Sequence, residues 1–133
     1  MRDPNKCILC GLCVRACDEV MGIGALGLVH RGFDTVVKPA LEQPLLTTAC
    51  DSCGQCVAVC PVGAIQERQT VQKEVPLDTD ITVTTCANCA VGCTFDLESY
   101  GDMLIKANPD KDGYVNKGIC CAKGKWGFDA SIL

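Results

Sequence analysis

The spacing of cysteines constrains this chain more than any other feature. Cys7, Cys10, Cys13 and Cys17 form one run with two, two and three residues between neighbours, and Cys50, Cys53, Cys56 and Cys60 repeat it. A third set, Cys86, Cys89 and Cys93, is completed at a distance by the adjacent pair Cys120 and Cys121. The chain has 13 cysteines in 133 residues, enough for three quartets with one thiol over. Thiols two residues apart suit one polyhedral metal centre better than disulfides, which need particular separations from remote partners.

Composition points the same way. Aromatic residues are only 5% of the chain, and part of the 48% apolar fraction is cysteine itself. The remaining core is modest, so metal centres are expected to act as structural centres in their own right. A secreted disulfide scaffold is disfavoured by the odd cysteine number and by Met1-Arg2-Asp3-Pro4-Asn5-Lys6, which has no apolar leader stretch. A reducing, cytoplasmic setting is expected instead. The formal net charge is −4, and thiolate-bound clusters would add to it, which argues against a nucleic-acid partner. No apolar run approaches the roughly 20 residues of a membrane span.

The first two runs form an internal repeat: the cysteines, the glycine after the second cysteine (Gly11, Gly54) and the valine after the third (Val14, Val57) all coincide. Glycine there suits a backbone that needs positive φ or close approach to a cluster. Short helical turns are expected around Val14–Val20 and Val57–Cys60. Between the runs, Leu26–His30 and Thr35–Lys38 read as two short strands about the turn Arg31-Gly32-Phe33-Asp34, followed by an extended connection marked by Pro39 and Pro44. Gln66–Asp80 reads as a polar linker. Beyond it, Ile81 and Val83 alternate with threonines, Phe95 and Leu97 with acids, Ser99–Asp102 is a turn, and Met103–Ala107 is a further strand before a loop at Asn108-Pro109-Asp110.

Cys-x2-Cys-x2-Cys-x3-Cys resembles the bacterial ferredoxin signature, in whose two-cluster members the fourth cysteine of each run serves the other run's cluster. The resemblance implies one [4Fe–4S] centre on Cys7, Cys10, Cys13 and Cys60, and another on Cys50, Cys53, Cys56 and Cys17. Pro61 matches the residue that usually follows the fourth cysteine, whereas the first run has Asp18 there. Zinc is the competing metal, but its structural sites favour paired Cys-x2–4-Cys spacings over three ligands in seven residues.

Cys86-x2-Cys89-x3-Cys93, closed by Cys121-Ala122-Lys123-Gly124, resembles the N-terminal [4Fe–4S] domain of molybdopterin oxidoreductases. That resemblance makes Cys121 the fourth ligand and Cys120 the spare thiol, read as a small buried hydrophobe. It also implies that Lys123 lies between cluster and pterin and assists electron passage. A solvated lysine that stabilises an anionic cluster stands beside that reading.

The whole arrangement is similar to the iron–sulfur front end of NAD(P)-linked formate dehydrogenase catalytic subunits, through Asn5-Lys6-Cys7-Ile8-Leu9-Cys10-Gly11, Cys17-Asp18-Glu19-Val20 and Arg31-Gly32-Phe33. The expected fold is α+β: a two-cluster bacterial ferredoxin-like module at 1–65, a linker at 66–80 and a small β-rich [4Fe–4S] domain at 81–133. The residues that would bind pterin, and a plant-type [2Fe–2S] domain, are not among these 133. The expected function is therefore a relay subunit with three [4Fe–4S] clusters and no substrate chemistry of its own. Its expected partners are a formate dehydrogenase, a hydrogenase or a flavin- and NAD(P)-binding subunit. An N-terminal fragment of a molybdenum or tungsten formate dehydrogenase is the alternative. His30, the one histidine, is expected on a strand surface, and Trp126 and Phe128 in packing roles. No nucleotide-binding glycine loop or Ser/His/Asp set is present.

Overall fold

The computed structural model describes residues 2–67 and 78–130. The chain divides into two units, Met1–Arg68 and Gln69–Leu133. The greater part of the expected linker, residues 68–77, lies outside the described residues.

In the first unit, helix α1 (Leu12–Arg15) runs directly into a π-helical turn at Ala16–Val20, strands β1 (Gly27–Val29) and β2 (Val36–Lys38) form an antiparallel pair, and helix α2 (Gln55–Ala58) follows. Both α-helices start two residues earlier than expected, each on a left-handed glycine cap, Gly11 with φ 74° and Gly54 with φ 78°. The strands are shorter than the sequence suggested, and His30 falls just past β1 with φ 63°. Prolines 39 and 44 do not lead an extended connection. Each is itself extended, then caps a 3-10 turn, Ala40–Glu42 and Leu45–Thr47.

The first unit has few large buried side chains. Its core is Cys13, Leu26 and Val37, with Cys7, Val14, Cys17, Cys56, Val59 and Ile65 packed against them. Cysteine is thus a main component of the interior, as the scarcity of aromatics implied. The two ends of the unit are tied together: Arg2 bridges Ile65, the Asp3 amide donates to the Ala64 carbonyl at 2.7 Å, and the Arg2 guanidinium donates to the Val37 carbonyl at 2.7 Å. This closure carries Cys60 back to the first run.

The second unit is a three-stranded antiparallel sheet in the order β3 (Asp80–Thr85), β4 (Thr94–Tyr100), β5 (Met103–Pro109), followed by helix α3 (Ala122–Ala130). The alternation in β3 does not bury its apolar residues. Thr82 pairs with Leu97 and Thr84 with Phe95, Thr84 half-buried and Thr82 exposed, while Ile81 and Val83 pair with Glu98 and Asp96 and are exposed. Strand β5 runs on through the expected loop to Pro109, which an edge strand tolerates because a missing N–H there need not break a ladder. Helix α3 was not foreseen, since Gly124 and Gly127 lower its helical propensity. Phe95 is fully buried, and its ring meets Phe128 with centroids 5.3 Å apart. Among the described residues, no helix is long and apolar enough to cross a membrane.

Candidate metal centres

The duplicated sequence gives duplicated backbone geometry. Leu9 (φ 55°) and Ser52 (φ 61°), each just before the second cysteine of its run, are left-handed, as are Gly11 and Gly54 just after it. A left-handed residue costs a side-chain-bearing position about 1–2 kcal/mol, so two such strained sites at equivalent places imply that the loop shape matters. Each run bends twice within three residues and wraps its thiols around a small volume.

In the first run that volume is a cavity of about 340 Å³ whose lining includes Cys7, Cys10, Cys13 and Cys60. Among the described residues, no three His, Cys, Asp or Glu side chains stand where they could hold a metal ion. A tetrahedral zinc with Zn–S near 2.3 Å would draw its sulfurs to within about 3.8 Å of one another. Four soft donors spread about a cavity fit a polynuclear iron–sulfur centre instead.

The second quartet is legible in its electrostatics. Burial, followed by the neighbouring thiols Cys53, Cys50, Cys13 and Cys17, pushes the Cys56 pKa up to about 11. Burial also raises Cys53, with Asp51 and Cys17 adding to it. Cys17, from the first run, therefore stands within the field of the second. Cys13 of the first quartet is equally a neighbour of Cys56, so the two groups of thiols approach one another at that pair. None of the thirteen cysteines forms a disulfide.

The fourth cysteine of each run receives a backbone hydrogen bond. The Ala25 amide donates to Cys17 Sγ at 3.3 Å, and the Ala64 amide to Cys60 Sγ at 3.2 Å. Burial tends to raise the Cys60 thiol, but amides of Ile65, Val62, Ala64 and Gly63 outweigh it and hold its pKa below the ordinary value. Such donors favour thiolate over thiol, the form a metal requires. The departure at Asp18 also has a physical reason. The first run continues as a helical turn through Ala16–Val20, where a proline ring would clash with the preceding turn, whereas α2 has ended before Pro61.

In the second unit, the Cys86 amide donates to the Cys93 carbonyl at 2.8 Å, closing the loop that carries Cys89. Burial raises the Cys93 thiol, and Cys89, Cys86 and Cys121 raise it further, which brings the four expected residues into one field. Cys121 is positioned by a clamp that sequence reasoning missed. The Asn116 carboxamide accepts from the Thr94 amide at 2.9 Å and donates to the Thr94 carbonyl at 3.1 Å, pinning the loop before Cys121 to the start of β4. Cys120 is buried against Cys86, Phe95 and Ala107, the small-hydrophobe role expected of it. Cys10, Cys89 and Cys121 are exposed, so the first and third groups reach the surface.

Lys123 is exposed, and its carbonyl accepts a hydrogen bond from the Asn88 amide at 3.0 Å. The lysine that the fold buries is Lys125, whose ammonium donates to the Ala107 carbonyl at 2.7 Å and reaches Asn108 Oδ1 at 3.3 Å. No sequence signal separated the two. His30 is exposed and meets Glu42 at 2.6 Å, away from the cysteines of either run in its bonding.

Comparison with known proteins agrees with this geometry. The ferredoxin-like domain family of NADH-quinone oxidoreductase subunit 3 matches residues 1–66, and the molybdopterin oxidoreductase Fe4S4 domain family matches residues 79–130. An NADH-quinone oxidoreductase subunit of Rhizobium meliloti (strain 1021) is 39% identical over 94% of this chain and 14% of its own length. An NADP-reducing hydrogenase subunit of Solidesulfovibrio fructosivorans is 48% identical over 56% of this chain and 13% of its own length. A putative formate dehydrogenase of Staphylococcus haemolyticus (strain JCSC1435) is 28% identical over 94% of this chain and 17% of its own length. The chain thus spans between 13% and 17% of these curated relatives. Its residues 1–66 are thus similar to the ferredoxin-like domain family, and its residues 79–130 to the molybdopterin oxidoreductase Fe4S4 domain family.

Proposed function

We propose that this chain is an electron relay holding three [4Fe–4S] clusters within a larger NAD(P)-linked oxidoreductase. Cys7, Cys10, Cys13 and Cys60 hold the first, Cys50, Cys53, Cys56 and Cys17 the second, and Cys86, Cys89, Cys93 and Cys121 the third. The domains run 1–65 and 81–133 about a linker at 66–80. The observation that carries the reading is the cavity joining Cys60 to the first run, 43 residues after that run ends in sequence (Cys17 to Cys60).

A cluster bound at such a site supplies one-electron oxidation and reduction. The protein's part is to hold the thiols, donate hydrogen bonds to their sulfurs and keep the first two clusters within reach of one another. The Cys13–Cys56 approach supports exchange between the first two sites. Exposure of Cys10 and Cys121 leaves edges open to redox partners, which we take to be a flavin- and NAD(P)-binding subunit, a hydrogenase or a formate dehydrogenase. The exposed Lys123 is the residue we assign to assist electron passage to a pterin, if the assembly carries one. The thiols require a reducing compartment, which we take to be the cytoplasm.

Iron and acid-labile sulfide analysis of anaerobically purified protein tests the reading, with about twelve of each expected per chain. About four would overturn it. A second reading, that this is part of a molybdenum or tungsten formate dehydrogenase polypeptide, is favoured by the formate dehydrogenase relative, which matches nearly the whole chain with a small fraction of itself. A native polypeptide mass far above 14.1 kDa in the source cell would support that reading.

A further inference from the structure

We infer that the Asn88 carboxamide is a positioning residue that sets the reduction potential of the third centre. This rests on the reading of Cys86, Cys89, Cys93 and Cys121 as its ligands. Asn88 Nδ2 lies 3.5 Å from Cys86 Sγ and 3.0 Å from the Lys123 carbonyl oxygen. An amide nitrogen has two protons, and here each has an acceptor. The flipped orientation would set the amide oxygen against a carbonyl and a thiolate, so only the NH₂ end fits this place. Helix α3 holds the side chain there from the far side: a Cβ at Gly127 would sit 2.6 Å from Asn88 Nδ2. Glycine at 127 thus leaves just the room the amide occupies.

The first unit uses a different device. There the sulfurs of Cys17 and Cys60 receive backbone amides, from Ala25 and Ala64, which no side-chain change removes. The donor at Cys86 is a side chain, so substitution alone alters it. One-electron reduction of a cluster held here would add negative charge to the Cys86 sulfur, with no proton or covalent bond changing hands. A donor to sulfur stabilises that reduced form more than the oxidised one and raises the potential.

The test is a potentiometric titration of the intact chain with dithionite as reductant, followed by low-temperature electron paramagnetic resonance and iron analysis. Asn88→Leu removes the donor. Asn88→Asp replaces it with a negative acceptor. The third signal should persist at full iron content. At a fixed potential its reduced-to-oxidised ratio should fall roughly three- to tenfold in Asn88→Leu, as expected for loss of one hydrogen bond. Tenfold corresponds to about 59 mV for a one-electron couple. Asn88→Asp should lower it further, and the two centres of the first unit should not move. An unchanged third potential with the signal intact would overturn the inference and leave the relay reading standing. A wild-type chain with only two clusters would instead overturn the reading beneath it. If either Asn88 variant loses the cluster, Gly127→Ala displaces the amide without altering its chemistry. A lowered third potential there supports the inference, and an unmoved one overturns it.

Discussion

Gly124→Ala should destabilise the second unit although alanine is the better helix former. Gly124 lies in α3 with no room above it: an added Cβ would meet Phe95 Cζ at 2.9 Å and Cε2 at 3.2 Å, with Cys86 Sγ at 3.7 Å. Carbon atoms pack best at about 3.5–4.0 Å, so helix and strand must part by more than about half an ångström. Phe95 is fully buried and also meets Phe128 of the same helix, ring centroids 5.3 Å apart, so its ring has little room to turn. Overpacking of this kind costs about 1–3 kcal/mol, and the helix propensity gained is about 1 kcal/mol. The expected net loss is therefore about 1 kcal/mol and at most about 2 kcal/mol. Trp126, the one tryptophan, lies in α3 and reports unfolding of this unit by fluorescence during urea titration of the anaerobic holoprotein. A double-mutant cycle with Phe95→Leu identifies the cause, because shortening the ring should relieve the clash and give a coupling of at least about 0.5 kcal/mol. A Gly124→Ala protein as stable as wild type, with additive effects in the cycle, would refute the argument.

Crossed ligation predicts that Cys60→Ser removes the first centre and Cys17→Ser the second, read as separate losses in the resonance spectrum. Uncrossed losses would count against crossed ligation, which rests on Cys60 lining the first run's cavity and Cys17 lying near Cys56. Cys120→Ser should keep the third centre, with some loss of stability from the buried hydroxyl, whereas Cys121→Ser should abolish its signal. The reverse would place the final ligand one residue earlier. Without metal, Cys56 keeps its proton up to about pH 11, so cluster binding at neutral pH must displace it. The proton favours the metal-free form at every pH below that value. Cluster retention should strengthen as pH rises from 6 toward 9 and weaken in acid, followed by the decay of visible absorbance under a chelator. Retention indifferent to pH would count against a thiol of this kind as ligand.

The repeat was readable in one dimension because both copies must solve the same local problem. Cys-x2-Cys-x2-Cys needs two sharp bends, and the glycines that make one of them stand in the sequence. The other bend falls on Leu9 and Ser52, which nothing in their chemistry announced. Elements joined by local turns, such as the 27–38 hairpin and the 94–109 hairpin, were found to within a few residues. Strand β3 was found but its facing was not, since alternation marks two faces without saying which the neighbouring strand will cover. Helix α3 was not read from the sequence, since two glycines in nine residues lower helical propensity. They serve instead to bring the helix against Phe95 and Asn88.

Sequence alone supplied the candidate thiols, their grouping by threes and the kind of centre such spacing suits, because spacing along a chain is a local property. Tertiary structure decided what joins across distance. Closure of the first unit through Arg2, Asp3, Ala64 and Ile65 brings Cys60 to Cys7, Cys10 and Cys13. The Asn116 clamp sets Cys121, and packing chose Lys125 over Lys123 for burial. Those outcomes depend on long-range hydrogen bonds and on which surfaces remain once the strands have paired, and no short stretch of residues contains that information.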